Sequence, residues 1–160
     1  MGTAVISSNV GDPSPSVFLS NGIIESATNF RTTDNCGLRL SVAMRSDSGS
    51  VQFEVWLPGI GYVAHVDASF GTALYELCQP GACIYVTQNV PYDKAFHVYE
   101  YDELPDSAIQ RWMRDGVTEF QLGGAVFQHD SLRVHLNALG NSPSGPSGGY
   151  FDNVLAIETP

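Results

Sequence analysis

Basic residues are scarce in this 160-residue sequence, which has one lysine, Lys94, and seven lysine and arginine residues against 17 aspartate and glutamate residues. The formal net charge of −10 repels phosphate groups, so we expect no nucleic-acid partner, and anionic membrane surfaces are disfavoured for the same reason. No apolar run approaches the ~20 residues of a membrane-spanning helix, so membrane insertion is not expected. The N-terminal residues also lack the basic start and apolar stretch of a signal peptide.

Motifs for metal, phosphate or nucleophilic chemistry are absent as well. The sequence has no Cys/His zinc spacing, no phosphate-binding glycine loop, no nucleophile elbow and no EF-hand spacing. Asp and Asn residues near turns more commonly form those turns than bind calcium. We therefore expect no required cofactor, and a structural calcium ion at Asp152 is the single metal hypothesis.

Residues that form turns, by contrast, are abundant and spread along the chain. Signals such as Ser20-Asn21-Gly22, Pro58-Gly59, Pro80-Gly81 and Asp115-Gly116 separate short stretches in which apolar and polar residues alternate. This spacing predicts an all-β fold, and the chain length suits a single domain over residues 1–160. We predict a two-sheet antiparallel β-sandwich, or jelly roll.

Two of the three cysteines are placed to form a disulfide. Cys78 and Cys83 flank Gln79-Pro80-Gly81-Ala82, which suits a type II turn, so they face each other across a hairpin. The alternative is a pair of small buried thiols. We favour the bridge, which indicates an oxidising compartment. Cys36 has no evident partner and is expected in the core.

Two predicted strands carry polar side chains on the face opposite their apolar residues. Successive side chains of a strand point to opposite faces, so the face of a strand can be read from its alternation. In Val51–Leu57 the polar face carries Gln52, Glu54 and Trp56. In Leu132–Ala138 it carries Arg133, His135 and Asn137.

A third polar face is predicted at the Asp115-Gly116 hairpin. A two-residue turn at this dipeptide pairs Trp112 with Glu119 and Gln110 with Gln121, all on one face. A tryptophan on a polar sheet face offers a stacking surface, and amides and carboxylates can bind hydroxyl groups.

The sequence therefore predicts contacts to a glycan or polysaccharide. The candidate residues are Trp112, Glu119, Gln110, Gln121, Trp56, Glu54, Arg133, His135 and Asn137. The alternative is that the tryptophans lie beneath a loop or at a sheet edge, and that the polar rows are ordinary solvated faces.

Two regions of the chain resemble a known superfamily. Phe96-His-Val-Tyr-Glu-Tyr101, followed by Ile109–Gly116, resembles the paired strands of concanavalin A-like lectin/glucanase (LamG-like) domains. Gly149-Tyr-Phe-Asp-Asn-Val-Leu-Ala156 is similar to the closing strand of those domains and of other jelly-roll carbohydrate-binding modules. The resemblance implies two curved antiparallel sheets with a glycan site on the concave face. It also implies that the hairpin of Trp112 lies within the sandwich and that Asp152 is structural or linked to calcium.

The resemblance does not extend to the catalytic motif of the glucanases. That motif is Glu-x-Asp-x-x-Glu, whereas Glu100-Tyr101-Asp102 is followed at the required position by Pro105. The leading hypothesis is a non-catalytic, lectin-like carbohydrate-binding domain at the cell surface or outside the cell, its leader absent from this sequence. The first alternative is a structural or adhesion module of a cell surface, filament or virion that binds a protein through the same face. The second is a glycoside hydrolase or polysaccharide lyase with an unrecognised carboxylate pair.

Overall fold

The computed structural model describes residues 3–7, 16–26, 37–69, 71–91, 93–104, 108–124, 132–139, 141–142, 145–146 and 148–159. Every regular element in these ranges is a β-strand. The strands are β1 Thr3–Ser7, β2 Ser16–Ser20, β3 Gly22–Glu25, β4 Gly37–Ser48, β5 Ser50–Leu57, β6 Gly61–Ser69, β7 Thr72–Gln79, β8 Ala82–Asn89, β9 His97–Leu104, β10 Ile109–Arg114, β11 Val117–Gly123, β12 Arg133–Leu139, β13 Asn141–Ser142, β14 Gly145–Pro146 and β15 Gly148–Thr159. None of the described segments is a helix that could cross a membrane.

The strands form two large antiparallel sheets, which confirms the predicted β-sandwich. Sheet A has seven strands in the order β1-β2-β15-β4-β9-β10-β11, and sheet B has six in the order β3-β12-β5-β6-β7-β8. Strands β5 to β8 follow one another as a meander in sheet B, and β9 to β11 do the same in sheet A. Strands β12 and β15 then return to the interior of sheets B and A, so each sheet contains strands from distant parts of the chain.

The core lies between the two sheets and follows the predicted alternation. In β5 the residues Val51, Phe53, Val55 and Leu57 are all buried, and the intervening side chains face away from the core. Alternate apolar residues of β4 and of the segment 132–138 are buried in the same way. They are Leu38, Leu40, Val42 and Met44, and Leu132, Val134, Leu136 and Ala138.

Polar bonds also join the two sheets where the edge strand β11 of sheet A meets β7 and β8 of sheet B. The side-chain amide of Gln79 donates to the backbone oxygen of Gly123 at 3.3 Å, and that of Gln88 donates to the backbone oxygen of Glu119 at 3.4 Å. These bonds satisfy carbonyl groups that an unpaired edge strand would expose.

The hairpin of β7 and β8 carries the predicted disulfide. Cys78 and Cys83 are directly opposed in the register, their Cα atoms lie 4.0 Å apart, and their sulfur atoms are bonded. The bridge closes the turn at Pro80-Gly81, as the sequence predicts. Cys36 lies outside the described residues.

Two adjacent glycines allow β15 to enter the sheet at close range. A Cβ atom on Gly149 would lie 2.1 Å from Cγ1 of Val51 and 2.8 Å from the backbone oxygen of Arg45. The second contact is to backbone, so a larger residue requires the strands themselves to move.

We expect Gly149→Ala to lower the free energy of unfolding by about 1–3 kcal/mol, because it overpacks this crossing. Gly123→Ala is the matched control, because a Cβ atom on Gly123 would meet nothing within 4 Å, and it should change stability by less than about 0.5 kcal/mol. Urea denaturation of both variants measures the difference. Equal losses in the two variants would contradict the close approach at Gly149.

Candidate functional site

The outer face of sheet B carries a broad set of polar side chains, and we call it the polar face. It arises because β5, β6, β7 and β12 each turn alternate residues away from the core. Its principal side chains are Glu25, Gln52, Glu54, Trp56, Tyr62, His65, Asp67, Glu76, Arg133, His135 and Asn137.

Carboxylates and imidazoles alternate in one row across the polar face. The strand register places Glu25, His135, Glu54, His65 and Glu76 directly beside one another, and we call this set the Glu–His row. His135 lies 3.7 Å from a carboxylate oxygen of Glu54 through Nδ1 and 3.7 Å from one of Glu25 through Nε2. His65 Nδ1 lies 3.7 Å from Oε2 of Glu76. Each imidazole is therefore near a carboxylate on a neighbouring strand.

Trp56 is held against this row by two kinds of contact. Its indole ring stacks on the His135 ring with centroids 4.7 Å apart and planes inclined by 22°. Its Nε1 atom donates a 2.6 Å hydrogen bond to Oε2 of Glu54. Trp56 is half-buried, so part of a fixed aromatic side chain stays accessible to a ligand.

Tyr62 reaches the same region through a β-bulge. The pairing of β5 and β6 shifts between Val55 and Trp56, so Trp56 lies opposite Tyr62 while Val63 and Ala64 are both buried. Bulges commonly re-aim a side chain in this way. The Tyr62 ring lies 6.2 Å from the Trp56 ring in an edge arrangement.

The phenol of Tyr62 remains a hydrogen-bond donor at neutral pH. Partial burial raises its pKa, and the neighbouring Glu76 and Glu54 carboxylates raise it further. Tyr62 is therefore coupled electrostatically to Glu76 and Glu54 of the Glu–His row.

A second set of hydrogen bonds organises the adjacent residues of the polar face. Asp67 accepts from the Ser50 hydroxyl at 2.6 Å and from the Gln52 amide at 2.7 Å. The Asn137 amide donates to Gln52 at 3.4 Å. Asn137 is only 2% exposed, so it positions Gln52 from below the surface.

Arg133 marks the rim of the polar face. Its guanidinium forms an ion pair with Glu25, and both side chains are more than two-fifths exposed. The predicted residues Trp56, Glu54, Arg133, His135 and Asn137 thus share one face, as their alternation indicated.

The predicted solvent exposure of Trp112 and Gln110 is wrong. Both are 0% exposed, and both lie on the core side of sheet A. The Trp112 ring packs edge-on against Phe53 at 5.2 Å, and its Nε1 donates to the backbone oxygen of Glu76 at 2.9 Å. The Gln110 amide donates to the Tyr101 hydroxyl at 3.0 Å. Burial is tolerated because the nitrogens of both residues find partners inside the sandwich.

The predicted pairing of the Asp115-Gly116 hairpin is also corrected. The two-residue turn forms, since Arg114 pairs with Val117, but the register shifts between Trp112 and Met113. Trp112 therefore pairs with Phe120, and Gln110 pairs with Leu122.

Glu119 and Gln121 lie apart from the polar face. Glu119 forms a 3.1 Å ion pair with Arg114 within sheet A. Gln121 is exposed and lies opposite Arg111 on the same sheet. The predicted site therefore divides between two sheets, and the residues around Trp112 do not join those around Trp56.

The structure adds residues that the sequence pattern left out of the site. His65 and Asp67 alternate with the buried Ala64, Val66 and Ala68 in β6, which was a usable signal for their outward position. Glu76 was recognisable as an outward residue of β7, but its neighbour His65 lies on another strand. Only the sheet register brings the two together.

Asp152 occupies a bulge in β15, where its Oδ1 accepts the backbone N–H of Asn153, a residue with φ of 49°. Among the described residues, the one close group of three potential ligands is Glu76, Cys78 and Cys83, and its sulfur atoms are joined in the disulfide. Calcium at Asp152 stays a prediction.

No protein-family model matches the sequence, and neither does any curated protein. The fold, however, is similar to several solved structures. For the beta-glucanase of Bacillus licheniformis the TM-score is 0.63 at 12% identity, covering 99% of this chain and 92% of that chain. For the cellulose induced protein Cip1 the TM-score is 0.66 at 12% identity, covering 98% and 85%.

A third similar structure is the GH16 protein of a Bacteroides ovatus mixed linkage glucan locus, solved with a G4G4G3G product. Its TM-score is 0.62 at 15% identity, covering 95% of this chain and 85% of that chain. These similarities confirm the concanavalin A-like jelly-roll fold that the sequence motifs suggested. At these identities they establish the fold alone.

The two tryptophans should respond differently to truncation. We expect Trp112→Ala to lower the free energy of unfolding by about 3–5 kcal/mol, because it empties a fully buried site and leaves the Glu76 carbonyl without its donor. Trp56→Ala should cost about 1 kcal/mol, because its ring is half-buried at the surface. Urea denaturation compares them, and similar losses would contradict the placement of the two rings.

Proposed function

We propose that the polar face of sheet B binds a glycan, with Trp56 and Tyr62 as the stacking surface. The observation that carries the proposal is the fixed position of Trp56, which is stacked on His135 and hydrogen-bonded to Glu54 yet remains partly accessible. An aromatic ring among polar groups suits a sugar, which has an apolar C–H face and hydroxyl groups around its edge.

The polar groups around the two rings complement sugar hydroxyls. Glu54 and Glu76 accept hydrogen bonds, the Gln52 amide both donates and accepts, and the Arg133 guanidinium donates at the rim. Existing hydrogen bonds already hold Glu54 and Gln52 in place. A site whose side chains are ordered before binding loses less conformational entropy when the ligand arrives.

The similar structures support a glycan ligand at the level of chemistry. The Bacillus licheniformis protein is a beta-glucanase, and the Bacteroides ovatus protein was solved with a glucan product. Fold similarity alone does not transfer an activity, so the polar face itself carries the proposal. The disulfide of Cys78 and Cys83 fits a location outside the cell, where such bonds persist.

Glycan cleavage is the second candidate function. Glu54 and Glu76 lie on the same face with one strand between them, so their Cα atoms are about 9–10 Å apart. Inverting hydrolysis uses two carboxyl groups about 6.5–9.5 Å apart, a separation that glutamate side chains from Cα atoms at this spacing can reach. We favour binding without cleavage, because Glu54 already accepts a hydrogen bond from the Trp56 indole within the site. Release of reducing sugar from a bound polysaccharide would establish the second candidate.

A glycan array followed by titration of the best ligand tests the binding proposal. Trp56→Ala should weaken binding by more than about tenfold, because truncating a central aromatic anchor typically costs ~2 kcal/mol or more. Tyr150→Ala is the matched control, since Tyr150 packs against Phe18 and Arg45 in sheet A, away from the polar face.

Melting curves must first show that both variants fold. Unchanged affinity in Trp56→Ala, or an equal loss in both variants, would contradict the assigned face. Absence of any glycan ligand would instead favour a structural or adhesion module that contacts protein.

A further inference from the structure

The polar face carries an excess of negative charge. Four carboxylates lie on it, those of Glu25, Glu54, Asp67 and Glu76. Among the described residues the single guanidinium on this face is that of Arg133, and it is paired with Glu25. The other described arginines, Arg39, Arg45, Arg111 and Arg114, belong to strands of sheet A.

Neutral hydrogen-bond donors hold two of the inner carboxylates of this face in place. Glu54 accepts from the Trp56 indole, and Asp67 accepts from Ser50 and Gln52. These donors carry no charge, so they orient the carboxylates without forming ion pairs with them. The nearest imidazoles, those of His135 and His65, lie 3.7 Å from the carboxylates of Glu54 and Glu76. The side chains of Glu54 and Glu76 are only 14% and 16% exposed, so water screens their charges less than it would at an open surface.

We propose that this arrangement selects neutral glycans and excludes glycans that carry carboxylate or sulfate groups. The proposal rests on the glycan-binding function above and assigns Glu54 and Glu76 as specificity-determining residues. The hydroxyl groups of a neutral sugar can donate hydrogen bonds to both carboxylates. An anionic group placed beside Trp56 would meet like charges at short range, and juxtaposed like charges suppress binding of the wrong partner.

Matched polymer pairs provide the test. The probes are hydroxyethyl cellulose with carboxymethyl cellulose, and dextran and β-1,3-glucan each with its carboxymethyl derivative, in affinity electrophoresis with the folded protein. We expect at least one neutral polymer to bind about tenfold or more tightly than its anionic partner. The preference should shrink when salt rises from about 0.05 M to about 0.5 M, because the Debye length falls to a few ångströms.

Charge-removing variants assign the selectivity to the polar face. Glu76→Gln and Glu54→Gln keep a hydrogen-bond acceptor but remove the charge, so the ratio of neutral to anionic affinity should fall several-fold in each. Glu100→Gln is the matched control. It removes the same charge from the outer side of sheet A, where Glu100 lies near Arg39, and its ratio should equal that of the unaltered protein.

Each outcome decides between separate claims. Binding of an anionic polymer as tightly as its neutral partner would overturn the selectivity and leave glycan binding standing. A preference that persists in Glu76→Gln and Glu54→Gln and ignores salt would also overturn it, since exclusion would then be steric. If no polymer binds and the array yields no ligand, the proposed function itself fails.

Discussion

Sheet A packs against sheet B, so one face of every central strand must be apolar and buried in the shared core. The other features of this protein depend on this constraint. Strand β5 shows the consequence most directly, because Phe53 is buried while Glu54 and Trp56 face outward. The alternation that builds the core therefore also sets the positions of the polar face.

Trp112 and Glu76 illustrate this coupling. The Trp112 ring fills the core beside Phe53, and its indole nitrogen bonds to the backbone oxygen of Glu76, whose side chain lies on the polar face. Leaving the buried indole N–H without an acceptor would cost free energy of folding, so this bond helps to hold β7 in position against sheet A. The polar face thus lies on strands whose opposite side is held by buried contacts.

Electrostatics differ between the two outer faces. On sheet A, Asp102 is buried between Arg39 and Arg111, and hydrogen bonds from these arginines lower its pKa against the opposing effect of burial. The two guanidinium groups therefore balance the negative charge of the Asp102 carboxylate. On sheet B, Glu54 is oriented by the neutral Trp56 indole, and imidazoles lie between the carboxylates of the Glu–His row. Acidic side chains therefore form stabilising ion pairs on the outer face of sheet A but leave the polar face of sheet B negatively charged.

Local sequence determined the strands, the turns, the Cys78–Cys83 bridge and the outward row of Glu54, Trp56 and His135, because each follows from period-two alternation or from a turn of a few residues. Only the tertiary structure decided which side of β10 meets the core, since Trp112 and Gln110 read as polar-face residues until their buried partners are known. It also decided the bulge that places Tyr62 opposite Trp56, and the register that sets His65 between Glu54 and Glu76. Alternation specifies the faces of one strand, but the alignment of separate strands depends on packing between residues far apart in the chain.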